Sequence, residues 1–251
     1  TAFLSLSDMG KALPSYEEIP IACRMEEVVQ TEYKRIEDAL VRVLRSDRRA
    51  ARKILSAYLN LLTVYPDQPY DQKPILYPES EQPIVIPEDT ADADTLGEKE
   101  TRTLEIVKAA IQNGERALIY TSWVRTDSQQ KLKKLLTDEG YRTEILTDKI
   151  KTTDREDWVQ KKLAAGMQVL IVNPSLVETG LDLNAFTTLV FYSMGYKLFT
   201  LRQASRRSWR INQKASAVKV YMLYYEDTMQ QKCLKLMASK LAVAGLIEGN
   251  F

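Results

Sequence analysis

The sequence predicts an α/β fold, in which a mostly parallel sheet carries helices on both faces. From residue 98 onward, apolar runs of strand length alternate with segments whose apolar residues recur at helical spacing. The strand runs are continuously apolar, as expected where both faces of a parallel sheet are covered. Three of the helical segments are followed by Gly114, Gly140 and Gly166, and glycine is the residue that most often ends a helix.

The α/β part is predicted to span residues 98–251. In chain order, its predicted strands lie in the stretches RALIYTS, YRTEILT, MQVLIVN, TTLVFYS and AVKVYMLYY. The intervening and final helices lie in EKETRTLEIVKAAIQNG, DSQQKLKKLLTDEG, TTDREDWVQKKLAAG, LFTLRQASRRSWR and DTMQQKCLKLMASKLAVAG. Thr153 and Glu156 have the spacing of a capping box, so the third of these helices is expected to be capped by Thr153. Ligands of such sheets bind at the carboxyl ends of the strands.

The first 97 residues are patterned differently. Residues 1–63 are predicted to form a helical segment, with two helices broken near Ser46 and Asp47. Residues 64–97 contain six of the nine prolines and then the acidic stretch PEDTADADTLGE. They are predicted to form an extended connector, which either wraps along a surface or is mobile.

Composition limits the chemistry that the chain can perform. With 35 Lys and Arg against 34 Asp and Glu, any anion site must be local. The absence of histidine excludes Ser-His-Asp and Cys-His catalysis, and no metal site is expected. Cys23 and Cys233 are too few for a disulfide framework, and no signal peptide or transmembrane run is apparent. We therefore expect a cytoplasmic protein, associated with the nucleoid if it is bacterial, with no membrane partner.

The segment LRQASRRSWRINQ, residues 201–213, concentrates positive charge. It contains four arginines, two glutamines and no acidic residue. Arg206, Arg207 and Arg210 fall within about one helical turn of each other. Guanidinium groups bind phosphate in a fork and neutralise charge that develops in phosphoryl transfer. The alternative is a solvated basic helix face, and the segment alone favours neither.

A second polar segment, VETGLDLNAF, follows the strand run QVLIVN and an Asn173-Pro174 turn. Gly180 allows the backbone to approach a ligand closely, and Asp182 can accept hydrogen bonds from ribose hydroxyls. An ordinary turn glycine and a local cap are the alternatives. The order of strand, Gly-x-Asp loop, strand and arginine helix is more specific than any one of its parts.

Three of these stretches resemble motifs of superfamily-two helicases, and most closely those of Swi/Snf-like ATPases of bacterial or mobile-element type. ALIYTSW resembles the first motif of the second RecA-like lobe, and VETGLDL resembles the fifth helicase motif. QASRRSWRINQ resembles the sixth, whose family pattern is Gln-Ala-x-Asp-Arg-x-His-Arg-Ile-Gly-Gln. The residues that match this pattern in register are Gln203, Ala204, Arg207, Arg210, Ile211 and Gln213. The resemblance extends from Ala117 to about Gly245 and implies a RecA-like sheet.

The sequence also departs from the family pattern. Arg206, Trp209 and Asn212 stand where the sixth motif has Asp, His and Gly. The fifth motif lacks the usual paired glycines and lysine, and Ser122 replaces the usual Gln of the lobe's first motif. The arginine pair of the sixth motif is intact.

The resemblance implies the C-terminal motor lobe of an ATP-dependent DNA translocase or helicase. Arg207 and Arg210 are then arginine fingers, and Gly180, Asp182 and Gln203 contact ATP. The sequence has no Gly-rich loop ending in Gly-Lys-Ser/Thr and no strand ending in Asp-Glu. We therefore expect ATP and Mg²⁺ to be bound mainly by an N-terminal RecA-like lobe of the same protein, and the chain to be inactive without that lobe.

Nucleic-acid contacts are implied on two loops at the carboxyl ends of strands. The implied residues are Thr121, Ser122, Trp123, Lys149, Lys151 and Thr152. The expected nucleic acid is double-stranded DNA, although RNA stays open, and a packed tryptophan and merely solvated lysines are the alternatives. The alternative function is a non-catalytic RecA-like module that binds nucleic acid or a protein partner.

Overall fold

The computed structural model describes residues 14–122, 128–177, 181–193, 208 and 216–247. The strands are β1 (Ser15–Cys23), β2 (Ile75–Leu76), β3 (Pro83–Val85), β4 (Ala117–Tyr120), β5 (Thr143–Leu146), β6 (Val169–Val172), β7 (Thr188–Phe191) and β8 (Ala217–Tyr225). The helices are α1 (Glu27–Ser46), α2 (Arg48–Val64), α3 (Glu98–Gln112), α4 (Ser128–Asp138), α5 (Arg155–Ala164) and α6 (Met229–Ile247).

The main sheet has six strands in the order β1-β8-β7-β4-β6-β5. β4 is central and pairs in parallel with both β6 and β7, so that Ala117 lies opposite Val169 and Thr188. All residues of β4, β6 and β7 are buried, which explains why these strands are apolar at every position except Thr188. The predicted α/β fold with a parallel sheet is therefore confirmed, including the placement of QVLIVN and TTLVFYS in one sheet.

Local signals in the sequence position several of the helix ends. Gly114, Gly140 and Gly166 have φ angles of +74°, +87° and +87°, a backbone conformation that glycine adopts without the steric cost of a Cβ atom. The helix break predicted near Ser46 and Asp47 is also confirmed. The Asp47 side chain accepts hydrogen bonds from the backbone N–H groups at the start of α2, with distances of 3.0 and 2.9 Å.

The predicted capping box at Thr153 is wrong. A 3₁₀ turn occupies Thr152–Asp154, and α5 begins at Arg155. The Thr153 hydroxyl donates to the Asp154 carboxylate at 2.7 Å. Glu156 instead accepts a hydrogen bond from the backbone N–H of Asp182 at 2.9 Å, so a tertiary contact replaces the local one.

The chain divides into two compact units that interleave along the sequence. The sheet unit contains the described residues of 14–21, 102–122 and 129–223, and the helical unit contains those of 22–101 and 224–247. The sequence analysis instead expected the consecutive segments 1–63, 64–97 and 98–251, and these sequence domains stay predictions. It did not predict β1, which adds an edge strand to the sheet.

The helical unit has a hydrophobic core of its own. Tyr33 and Tyr58, from α1 and α2, are fully buried in it. Ile75 and Val85, which pair across the β2–β3 ribbon, belong to the same cluster. The described structure therefore has the proline-rich segment lying along the two helices. The Tyr65 hydroxyl fixes the end of this segment by donating to the Glu88 carbonyl at 2.9 Å.

A buried ion pair lies within the helical unit. The Lys99 ammonium is 2.7 Å from the Asp67 carboxylate, and both side chains are at most 1% exposed. The same ammonium lies 5.1 Å from the centre of the Tyr225 ring. Burial raises the pKa of Asp67, while Lys99 acts in the opposite direction. The carboxylate therefore depends on Lys99 for its charge compensation.

Replacing Lys99 by alanine is expected to reduce the free energy of unfolding by about 3–5 kcal/mol at neutral pH, because Asp67 loses its partner in a dry environment. The loss should shrink at acidic pH. Without Lys99, the Asp67 pKa is raised further in the folded chain, and the protonated carboxyl carries no charge. Urea unfolding measures the loss of free energy of unfolding in Lys99→Ala and in the control Lys53→Ala. The control breaks an exposed ion pair with Glu79. Equal, small losses in both variants would contradict the prediction.

Candidate functional site

Three loops meet at the carboxyl edge of the central strands. Ser122, Asn173 and Ser193 lie just beyond the ends of β4, β6 and β7, respectively. The backbone N–H of Ser122 donates to the Ser193 hydroxyl at 2.7 Å, and the Ser122 hydroxyl donates to the Ser193 carbonyl at 3.0 Å. The Asn173 amide donates to the Ser122 carbonyl at 3.2 Å. The predicted contact residue Ser122 is therefore fixed from both sides.

The other predicted residues after β4 differ in their surroundings. Thr121 is fully buried, and its hydroxyl accepts a hydrogen bond from the Gln129 amide at 2.7 Å. Ser122 is only half-buried. Trp123 lies outside the described residues. The nucleic-acid contacts of all three residues stay predictions, and the burial of Thr121 leaves Ser122 as the more accessible of the two described side chains.

Asn173 organises the loop after β6. Its side-chain oxygen accepts from the backbone N–H of Ser175 at 2.9 Å and from the Ser175 hydroxyl at 2.7 Å. These bonds start the 3₁₀ turn Pro174–Leu176. The sequence analysis placed Asn173 in a turn but gave it no link to the loop after β4. Its position directly after an apolar strand was the available signal, as it was for Ser193.

The loop between β5 and α5 carries three predicted contact residues. Lys149, Lys151 and Thr152 are all exposed, so they are accessible to a phosphate backbone. Arg155 follows them at the start of α5 and is only 9% exposed. Its guanidinium donates to the Ile150 carbonyl at 3.2 Å and to the Leu176 carbonyl at 2.9 Å. Arg155 therefore joins the loop between β5 and α5 to the loop after β6.

Asp182 lies in the polar loop before β7. One of its carboxylate oxygens accepts from the backbone N–H of Asn184 at 3.1 Å, so the local cap considered from the sequence is present. Its own backbone N–H donates to the Glu156 carboxylate at 2.9 Å. Its predicted contact with ribose stays a prediction. Gly180 lies outside the described residues.

The arginine segment is described at one residue, Ser208. This serine is fully buried, and its hydroxyl donates to the Leu183 carbonyl at 3.1 Å. Ser208 directly follows Arg207 in the chain, and Leu183 directly follows Asp182. Two segments that the sequence analysis linked through a common ligand are thus joined by a hydrogen bond. Arg207, Arg210 and Gln203 lie outside the described residues, and their roles stay predictions.

Two kinds of feature are missing from the residues that the structure describes. In the part of the chain that the structure describes, no three His, Cys, Asp or Glu residues lie close enough together to hold a metal ion. None of the helices among the described residues has the length and apolar character needed to cross a membrane.

The chain matches a known domain family over the region that forms this site. Residues 98–212 match the model of the helicase conserved C-terminal domain. This match covers less than half of the chain. The matched region includes every predicted site residue, from Thr121 to Arg210, and the strands from β4 to β7. No curated protein sequence matches the chain.

Several solved structures share the fold of this chain. The C-terminal part of the Fun30 ATPase domain superimposes with a TM-score of 0.65 at 16% identity, and 90% of each chain is covered. The C-terminal domain of the Sulfolobus solfataricus SWI2/SNF2 ATPase gives 0.64 at 17% identity, covering 90% of this chain and 86% of the other. The ATPase core from the same organism, solved in complex with double-stranded DNA, gives 0.65 at 20% identity.

This chain spans less than half of the length of the third structure. The match covers 92% of this chain but 45% of that ATPase core. The match over residues 98–212 and the shared RecA-like fold support the resemblance to a helicase C-terminal lobe that three short motifs indicated. The assignment to the Swi/Snf-like class stays a prediction. The bacterial or mobile-element type stays a prediction.

Proposed function

We propose that the chain is the second motor lobe of an ATP-dependent DNA translocase or helicase of the Swi/Snf-like class. The observation that carries this proposal is the match of residues 98–212 to the helicase conserved C-terminal domain. Within this region, loops that are joined by hydrogen bonds meet at the carboxyl edge of the sheet. ATP and Mg²⁺ are held mainly by an N-terminal RecA-like lobe of the same protein. That lobe is the chain's principal partner, and the protein acts inside the cell on DNA.

On the nucleotide side of the proposal, Arg207 and Arg210 neutralise charge that develops on the γ-phosphate. Their guanidinium groups stay protonated and form planar forks that fit phosphate oxygens. The anchoring of Ser208 supports this assignment, because it ties the arginine segment to the loop that contains Asp182. Gly180 and Gln203 complete the proposed ATP contacts. The Asp182 carboxylate accepts one bond from Asn184 and has the capacity to accept a ribose hydroxyl as well.

On the nucleic-acid side, the proposed contacts are to phosphates of double-stranded DNA. The loop after β5 exposes Lys149, Lys151 and Thr152. The loop after β4, which contains Ser122, lies at the same carboxyl edge of the sheet. The structural neighbour that was solved with double-stranded DNA supports DNA as the partner. Thr121 and Trp123 are the remaining proposed contacts. Phosphate contacts of this kind position a motor on DNA without reading its sequence.

Replacing Lys149 or Lys151 by alanine is expected to lower the affinity for double-stranded DNA. The affinity should also depend less steeply on salt concentration. Each lysine that contacts a phosphate releases about one counterion, so each replacement should lower the log–log salt slope by about 0.9. Fluorescence anisotropy at ionic strengths from about 50 to 200 mM measures this slope. Lys53→Ala removes an exposed lysine of the helical unit and serves as the matched control, with no expected change in slope.

The outcomes of this titration separate two errors. A chain that binds DNA with the same slope in all three variants would show that the lysine assignments are wrong. A chain that binds no double-stranded DNA even at about 50 mM salt would contradict the DNA-binding part of the proposal. It would favour the alternative of a RecA-like module that binds a protein.

A further inference from the structure

We propose that Arg155 and Glu156 couple DNA contact on the lysine loop (residues 149–152) to the loop positions Leu176 and Asp182, and thereby to ATP hydrolysis. The inference rests on the proposed function, because it assigns a route between the two ligands of that motor lobe. Arg155 and Glu156 act as positioning residues: each holds the backbone of a loop and neither is proposed to touch ATP or DNA.

The first part of the route is the guanidinium of Arg155. It bridges the Ile150 carbonyl at 3.2 Å and the Leu176 carbonyl at 2.9 Å. Ile150 lies between Lys149 and Lys151, and Leu176 ends the turn after β6. A planar guanidinium donates in fixed directions, so a shift of one carbonyl strains the bond to the other. A phosphate that draws in the lysine loop would therefore also displace the loop after β6.

The second part is Glu156, the next residue of α5. One of its carboxylate oxygens accepts from the backbone N–H of Asp182 at 2.9 Å. The other accepts from the Gln160 amide at 3.1 Å, one helical turn away. The Gln160 bond holds the carboxylate in the orientation that reaches Asp182. Adjacent residues on one helix thus bind Leu176 and Asp182.

The third part leads to the arginine segment. Leu183, the residue after Asp182, accepts the hydrogen bond from the Ser208 hydroxyl at 3.1 Å. The path therefore runs through hydrogen bonds and adjacent residues from Ile150 to Ser208. A series of contacts does not by itself couple two sites. Coupling requires that both sites bias the conformational equilibrium of the same element. The structure supplies the candidate element, the first turn of α5.

The position of Arg155 at the amino end of α5 destabilises this helix when the helix is considered by itself. The amino end of a helix carries partial positive charge and favours acidic side chains. A cation at the first helical position, with only 9% of its surface exposed, adds a desolvation cost. The two carbonyls that it binds offset these costs. Arg155 is thus suited to join two loops and poorly suited to stabilise α5.

The test compares ATP turnover with and without double-stranded DNA in the protein that carries both lobes. The measured quantity is the ratio of the two rates. We expect Arg155→Ala and Glu156→Ala to lower this ratio by about tenfold, the size of a typical coupling between sites. Loss of a purely structural contact would lower both rates by the same factor and leave the ratio unchanged.

Conservative variants separate positioning from charge. Glu156→Gln should keep the wild-type ratio to within about twofold, because the amide oxygen can still accept from the Asp182 N–H. Arg155→Lys should behave like the alanine variant, because one ammonium cannot reproduce the bridge between two carbonyls. It also replaces Arg155→Ala if that variant does not fold. Arg102→Ala, which removes an arginine from an exposed pair with Glu105, is the matched control.

A double variant makes the test sharper. If Arg155 and Glu156 act on one route, Arg155→Ala combined with Glu156→Ala should lower the ratio no further than the more damaging single change. Wild-type ratios in both alanine variants, with a wild-type protein that DNA does stimulate, would overturn the inference and leave the proposed function standing. A wild-type protein that DNA does not stimulate at all would overturn the proposed function and this inference with it.

Discussion

Replacing Arg207 or Arg210 by alanine is expected to lower the ATP turnover of the two-lobe protein by about 10³- to 10⁵-fold, as for arginine fingers in general. The expectation follows from their register in the sixth helicase motif and from the chemistry of the guanidinium group. A group that cannot lose its proton near neutral pH stabilises the charge that develops on the γ-phosphate. ATP binding should weaken much less, because the N-terminal lobe holds most of the nucleotide.

The same segment supplies the controls. Arg206 occupies a position that is Asp in the family pattern, so Arg206→Ala should cost far less turnover. Arg207→Lys should not restore activity, because an ammonium is a point charge without the planar fork. Steady-state turnover with saturating DNA measures all of these variants. If Arg206→Ala is as damaging as Arg207→Ala, the register is wrong. If Arg207→Ala and Arg210→Ala keep near-normal turnover, the segment is only a solvated basic face.

The chain alone is expected to hydrolyse no ATP, with or without DNA. Its sequence contains neither a Gly-rich phosphate loop nor a strand ending in Asp-Glu, so the groups that hold the β- and γ-phosphates and Mg²⁺ are not supplied by these residues. Phosphate release from the purified chain, measured against a buffer blank, checks this expectation. DNA-stimulated turnover that disappears in Arg207→Ala would contradict it, because a contaminating enzyme would not respond to that change.

The elements of the sheet that could be predicted are those whose signal is local. β6 is a short, wholly apolar run and β7 is apolar after Thr188, so the local sequence predicts that both strands are buried on both faces. Gly114, Gly140 and Gly166 likewise mark helix ends through their own backbone preference. Asp47 signals the break between α1 and α2 because its side chain binds the N–H groups two and three residues further on.

β1 could not be predicted because its signal is not local. Its sequence SYEEIPIAC mixes charged and apolar residues, and much of it is exposed or half-buried at the edge of the sheet. The strand is held by pairing with β8, some two hundred residues away, as in the 2.9 Å bond from the Ser15 N–H to the Ser216 carbonyl. The apolar pattern on which strand prediction depends is weak in such an edge strand.

The residues of the candidate site also fall into those that local sequence signals predict and those that depend on distant contacts. Ser122, Asp182 and the lysine loop were predicted from motif and position. The structure places Ser122 and the lysine loop after β4 and β5, respectively, and Asp182 in the loop between β6 and β7. The contacts of Arg155 and Ser208 could not be predicted because their partners are backbone carbonyls of distant loops, which no side-chain pattern reveals. Glu156 was assigned to a local cap for the same reason, since its partner is the N–H of Asp182.

The central claim is that this chain supplies one half of an ATPase site that is driven by DNA. The most direct measurement is steady-state ATP hydrolysis by the N-terminal lobe alone and by the protein that carries both lobes, each with and without double-stranded DNA. We predict that turnover appears only when this chain is present, rises when DNA is added, and is lost in Arg207→Ala. Equal turnover by the N-terminal lobe alone, or turnover that DNA does not change, would contradict it.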